Sequence, residues 1–311
     1  STTTIVDLFG VPGEDGSGTN HEFEDGRAER LSTVSAPSST WSASEWTVNN
    51  DSALKPVQNV ADMTPRAWGG AGPVVDPATI YVHGVASGDP YADSVILWTR
   101  YSPDAPSREG RTDVTLDWEI STSSNFKSIV DSGTFTTNAD RDWTVKVEAD
   151  GLQPGQDYYY RFKADGAYSP VGQTNTLPDS SANEVRLAVF SCANLAVGAG
   201  ETQQTSLRTY GRAAQLDAAR DYDAMIHLGD YIYEHGDARH QPTTELNSLS
   251  DYRQRLGQYR SNADLQAAHA SNPFITIWDD HEIANDSYKD GADQHDPSTE
   301  GSWIDRRDAA L

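Results

Sequence analysis

Ala224-Met225-Ile226-His227-Leu228-Gly229-Asp230-Tyr231-Ile232-Tyr233-Glu234 is the stretch that decides how this chain is built. It opens on a short apolar run and is cut at once by Gly229, which reads as a strand ending in a turn. The carboxylate of Asp230 then stands at the strand tip with backbone space around it, where it can bridge two cations. A single Gly-Asp after a strand is equally a turn or a helix N-cap, so its neighbours have to be read with it.

Two further segments repeat the arrangement. Residues 185–191 form an apolar run leading to Phe190-Ser191-Cys192, and residues 274–278 run into Trp278-Asp279-Asp280-His281-Glu282, with Asn285 close behind. Helical patterns fill 207–220 and 249–269, and another helix opens within 301–311. Strand and helix in alternation is the order of an α/β fold with a largely parallel sheet. Such sheets carry their sites just past the carboxyl ends of the strands, and all three clusters fall there.

Four consecutive ionisable groups at 279–282 repel one another unless a cation neutralises them. The other reading is an exposed acidic turn with a solvated histidine. Cys192 by itself reads as a small buried hydrophobe. Taken together, the oxygen donors of Asp and Asn suit calcium, while thiolate and phenolate suit a ferric ion or another transition metal.

Upstream, residues 95–100, 114–121, 134–137, 144–148 and 158–163 alternate with period two between turn signals, the pattern of a small antiparallel β-sandwich. Leu152-Gln153-Pro154-Gly155 before Tyr158-Tyr159-Tyr160 is similar to the corner of fibronectin/Ig-like sandwiches. The expected organisation is an irregular N-terminal extension at 1–78 with scattered Trp41, Trp46 and Trp68, a β-sandwich domain at 79–180, and the α/β part at 181–311 after the linker Pro178-Asp179-Ser180-Ser181.

Acidic residues outnumber basic ones 47 to 23, giving a formal charge of −24 over 311 residues. That surface repels nucleic acid and anionic membranes, so no nucleic-acid-binding face is expected. Aspartate in excess and lysine scarce resembles proteins from high-salt habitats, where counterions screen self-repulsion; an acidic extracellular enzyme kept soluble by its charge is the plainer account. Cys192 is the single cysteine, so there is no intrachain disulfide. No apolar run reaches membrane-spanning length and no export signal opens the sequence.

In this order, the clusters ending at Cys192, Glu234 and Asn285 resemble the metal motifs of the PhoD-like alkaline phosphatase/phosphodiesterase family, within the metallophosphoesterase superfamily. Val82-His83-Gly84-Val85-Ala86-Ser87-Gly88-Asp89-Pro90, Ile96-Leu97-Trp98-Thr99-Arg100 and Asp251-Tyr252-Arg253-Gln254-Arg255 with Tyr259-Arg260 match as well, so the likeness covers residues 81–311. It implies a small antiparallel β-sandwich domain followed by a four-layer α/β metallophosphoesterase domain, of which this chain holds the first part. It also implies Fe3+ and Ca2+ as cofactors. Carried over by position, Cys192, Asp230 and Tyr233 bind iron with Asp230 bridging, and Asp280 and Asn285 are candidate ligands of the second metal. His281 contacts the phosphoryl oxygen or the leaving group without binding metal; its plainer reading is a strand-end histidine bonded to a carboxylate.

The activity implied is hydrolysis of phosphate esters, diesters or monoesters, at alkaline pH by a metal-activated hydroxide. The location implied is secreted or in the cell envelope, after twin-arginine export. The family supplies further His and Asp ligands from downstream motifs, and no Gly-Asp-x-His follows Asn285. The chain is therefore expected to be a fragment, a half completed by a second polypeptide, or a naturally short relative. The alternative function is a non-catalytic acidic surface module binding calcium or glycans, or an inactive fragment of the enzyme. The aromatic and basic residues at 252–260 read as packing and ion-pairing groups.

Overall fold

The computed structural model describes residues 9–12, 19, 27–31, 34, 38–49, 75–180, 182–195, 207–217, 222–293 and 295–311. The chain divides into two compact units, one comprising residues 1–76 with 165–167 and the other residues 77–164 with 168–311. In the first unit, β1 (Arg27–Arg30) pairs antiparallel with β2 (Trp46–Asn49), a two-stranded ribbon that the irregular composition there did not announce. Most of the expected extension, Trp68 included, lies outside the described residues.

The second unit opens with the short α1 (Pro77–Ile80), then β3 (Val85–Gly88), β4 (Val95–Arg100), β5 (Asp113–Ser121), β6 (Ile129–Asn138), β7 (Thr144–Ala149), β8 (Asp157–Ala164), β9 (Ala167–Tyr168) and β10 (Gly172–Asn175). Four of these strands run antiparallel in the order β10-β8-β5-β6, within a five-stranded sheet that β9 completes. Its strands alternate as the sequence does: Val114, Leu116, Trp118 and Ile120 of β5 and Tyr158, Tyr160 and Phe162 of β8 are buried, with more exposed residues between them.

The α/β part contributes β11 (Leu187–Phe190), α2 (Arg208–Leu216), β12 (Ala224–His227), α3 (Leu249–Arg260), α4 (Ala263–Ser271), β13 (Pro273–Thr276), α5 (Pro297–Glu300) and α6 (Trp303–Ala310). The single helix expected over 249–269 is two. Asn262 turns its side chain onto the amides of Asp264 and Leu265, starting a second helix where the first stops. A capping box of Ser248 and Asp251 fixes the start of α3.

These strands join β3, β4 and β7 in one sheet of order β11-β12-β13-β3-β4-β7, parallel from β11 to β3 and antiparallel beyond. Thus segments expected on either side of residue 180 share a sheet. Gly88 permits the close approach at that junction, since a Cβ there would stand 2.8 Å from the carbonyl oxygen of Phe274, and the amide of Asp89 bonds the same oxygen at 3.0 Å. Met225 and Phe274 on one face pack with Tyr210, Leu265 and Tyr259 into the main apolar cluster. On β11 the alternate residues Leu187 and Val189 are exposed. Among the described residues no helix is long and apolar enough to cross a membrane.

Candidate metal centre

Because β11, β12 and β13 run parallel and adjacent, with Phe190 opposite His227 and His227 opposite Thr276, their carboxyl ends lie side by side. The three clusters are the loops that leave those ends. They are sewn together first by backbone: Cys192 donates to the carbonyl of Gly229 at 3.2 Å and Ala193 to that of Asp230 at 2.8 Å. Gly229 (φ +98°) permits the tight approach of the β13 loop, for a Cβ there would stand 2.5 Å from both Cβ and N of Asp279.

Cys192 and Asp230 both adopt left-handed backbone, φ +59° and +55°, a conformation that non-glycine residues hold only under restraint. The result is a convergence of donors on one carboxylate oxygen. The Cys192 thiol lies 3.4 Å and the Tyr233 hydroxyl 3.1 Å from Asp230 Oδ2, while Asp230 Oδ1 is buried without a hydrogen-bond partner. Burial, and then the neighbouring Cys192 and Asp230, push the Tyr233 phenol well above its usual range. Ligand atoms of Asp230, Asp280 and His281 lie within 4.8 Å of one another, as do those of Glu234, His235 and His281.

His281 is held from behind. Its Nδ1 lies 2.7 Å from Glu234 Oε2, and its ring is 4.2 Å from that of Tyr233. Burial pulls the imidazole pKa down, but the Glu234 hydrogen bond and the charges of Glu234, Asp230 and Asp280 outweigh it, so the net shift is upward. Glu234 is 1 % exposed and also accepts the backbone amide of Asn285 at 2.7 Å. Glu282 is likewise buried, accepting backbone amides of Asp230 (3.0 Å), Asp279 (2.7 Å) and Tyr231. Burial raises its pKa, with the Asp230 charge adding to the rise and the three amides opposing it.

The structure therefore brings together Cys192, Asp230, Tyr233, Asp280 and His281. Asn285 is present through its backbone, while its side-chain amide donates to Asp286 at 2.9 Å. Two residues that the sequence reading did not single out, Glu234 and Glu282, prove to organise the centre. The only signal for them was their position closing their motifs. Of the aromatic and basic residues at 252–260, Tyr252, Arg255, Tyr259 and Arg260 turn inward: Arg255 is fully buried on the carbonyls of Tyr233, Gln241 and Pro242, and Tyr252 donates to the carbonyl of Ile283 at 2.7 Å. His227 sits in the core with Nε2 2.7 Å from the Tyr210 hydroxyl.

Residues 75–178 match the model of the PhoD-like phosphatase N-terminal domain, and residues 187–311 that of the PhoD-like phosphatase itself. The chain belongs to the PhoD-like phosphatase family. It is 40 % identical over 240 residues to alkaline phosphatase D of Bacillus subtilis (strain 168), a match covering 73 % of this chain and 39 % of that protein. A solved structure described as that of PhoD superposes with a TM-score of 0.64 at 39 % identity, over 75 % of this chain and 44 % of the other. The chain thus spans less than half the length of each of these two relatives. The expectation of a second polypeptide finds no support in these comparisons.

Proposed function

We propose that this chain carries the metal-binding part of a phosphoesterase that hydrolyses phosphodiesters or phosphomonoesters at alkaline pH. The observation that carries the reading is the meeting of Cys192, Tyr233 and Asp230 beside an Asp230 oxygen that is buried and unpartnered. An isolated buried carboxylate oxygen is costly unless something satisfies it. A cation fits, because the thiol and hydroxyl both direct protons at the same carboxylate and a metal replaces those protons.

Thiol, phenol and carboxylate as a donor set suit Fe3+, and the oxygens of Asp280 suit Ca2+. On this reading Cys192, Asp230 and Tyr233 hold the iron, with Asp230 shared, and Asp280 holds the second ion; Asn285 joins only after its side chain leaves Asp286. When bound, such a pair supplies Lewis acidity and lowers the pKa of water. The chain's own residues do the remainder. Glu234 fixes His281 through Nδ1, leaving Nε2 to meet a phosphoryl or leaving-group oxygen. The fold expected for this activity is part of the proposal: the antiparallel sheet stacked on β3, β4 and β7 as a sandwich, with β11 to β13 opening a four-layer domain. Export of the folded protein belongs to it too, on the family resemblance.

The test is hydrolysis of bis-p-nitrophenyl phosphate at alkaline pH and high salt, with calcium and then with chelator, alongside thermal unfolding with and without iron and calcium. Chelator-sensitive hydrolysis that Asp230→Asn removes supports the proposal. Turnover indifferent to chelator, or a protein whose melting responds to neither metal, overturns it.

A further inference from the structure

We propose that Glu282 is a positioning residue, whose buried carboxylate ties the tips of β12 and β13 together and holds Asp230 in the left-handed backbone that turns it toward Cys192 and Tyr233. The inference rests on the reading of the centre given above and concerns how that centre is kept in shape.

The parallel ladder ends with the amide of Ile277 donating to the carbonyl of His227 at 3.0 Å. Beyond it, among the described residues, no backbone-to-backbone hydrogen bond joins 228–234 to 278–286. The tip of β12 is laced by backbone to that of β11, through Cys192 and Ala193, but toward β13 it is laced by a side chain. Glu282 Oε2 accepts the amides of Asp230 at 3.0 Å and Asp279 at 2.7 Å, and Oε1 accepts that of Tyr231. These donors stand 52, 3 and 51 residues away in sequence. Glu282 therefore replaces the missing rungs.

Three facts make this a dedicated role. Among the described residues no basic side chain forms an ion pair with Glu282, although it is only 7 % exposed, so its charge is met by backbone dipoles alone. Asp230 holds φ +55°, which an aspartate keeps only where its surroundings over-determine it. Gly229 lets the Asp279 loop come close, and a close approach of two loops needs a tie to persist. The Asp230 amide is one of the groups tied, so the backbone that aims the Asp230 carboxylate is fixed directly.

The chemistry of the tie gives a sharp test. All three contacts need an acceptor, with two donors on one oxygen and one on the other. In Glu282→Gln, whichever way the amide is turned, its NH2 faces at least one backbone N–H. In Glu282→Asp the carboxylate is kept but shortened. Amide hydrogen exchange, followed residue by residue on chelator-treated protein, reads the result without any metal. In the unaltered protein the amides of Asp230, Tyr231 and Asp279 are expected to be protected. In Glu282→Gln at least one should exchange about tenfold faster or more, while Leu228 and Ile277, bonded to the carbonyls of Phe190 and His227, stay unchanged, and Glu282→Asp falls between. Calcium affinity should drop about 10- to 100-fold in Glu282→Gln, the usual effect of losing a group that orients a ligand.

Unprotected amides at all three positions in the unaltered protein overturn the proposal, and that measurement needs no variant to fold. Equal acceleration across the whole sheet in Glu282→Gln also overturns it, since it marks general destabilisation. The local exchange pattern without calcium binding in any variant supports the tie and sinks the metal reading alone.

Discussion

Asp230→Asn should make the metal-free protein more stable while abolishing its response to metal. Asp230 is 8 % exposed, and its Oδ1 has no partner, a deficit worth about 1–3 kcal/mol for a buried polar group. Its ligand oxygen also lies within 4.8 Å of one on Asp280. Two unit charges at that separation repel by about 3 kcal/mol at an effective dielectric of about 20, an upper figure because Asp280 is only half-buried. Asparagine keeps the acceptor that Cys192 and Tyr233 use, removes the charge, and tolerates the left-handed backbone at least as well as aspartate. The two gains overlap, so a net stabilisation of about 1–3 kcal/mol is expected. For a unit of this size that is a rise in melting temperature of about 2–4 °C per kcal/mol. Differential scanning calorimetry in chelator, and again with calcium and iron, reads both halves. A variant that melts lower than the parent in chelator, or that still gains melting temperature from metal, refutes the reasoning.

Gly229→Ala should be costly for two separable reasons, a backbone at φ +98° and a Cβ 2.5 Å from Asp279 Cβ and N. Left-handed strain alone is about 1–2 kcal/mol, and an overlap with backbone cannot be relieved by a rotamer. A loss of about 3 kcal/mol or more in denaturant unfolding is expected, and a loss under about 1 kcal/mol would show that the loops part easily. His227 should make stability depend on pH. Burial lowers its pKa to about 4, slightly offset by the Asp230 charge, against about 6.5 in the unfolded chain. Its contribution is complete above pH about 6.5 and is lost as pH falls toward 4, reaching about 3 kcal/mol. His227→Gln, which keeps a partner for the Tyr210 hydroxyl, should therefore flatten the stability profile between those two pH values. Parallel profiles for variant and parent would count against a neutral buried imidazole.

How far the sequence could be read depended on how local the deciding physics was. The run at Val95–Arg100 is a strand at those residues, because alternation between turn signals is a local property. The run at Val85–Gly88 went unread, since four small residues carry no period. What makes them a strand is the parallel pairing of Ser87 and Gly88 with Pro273 and Phe274, set by tertiary contact. The break inside 249–269 depends on which way the Asn262 side chain turns, and the residue type alone permits both outcomes. Cys192, Asp230, Tyr233, Asp280 and His281 were legible because strand tips in a parallel sheet are neighbours by construction.

The same distinction explains what the sequence left open at 279–282. Consecutive ionisable groups were read as repelling one another unless a cation intervened. The fold divides them instead: the Glu282 carboxylate turns inward onto three backbone amides, and His281 is paired with a buried Glu234. Among the carboxylates that face the centre, Asp230 and Asp280 are left to be balanced. Both glutamates that carry out this division are of the same residue class as the candidate ligands beside them, and nothing in composition or spacing tells a carboxylate that binds a cation from one that binds amides. Burial does not separate them, since Glu282 at 7 % and Asp230 at 8 % are alike; how each oxygen is used does. Every oxygen of the two glutamates has a donor, whereas Oδ1 of Asp230 has none. On the proposed reading the ligand is the carboxylate that its neighbours leave unsatisfied, Asp230, and the positioning groups are the two glutamates whose oxygens all have donors.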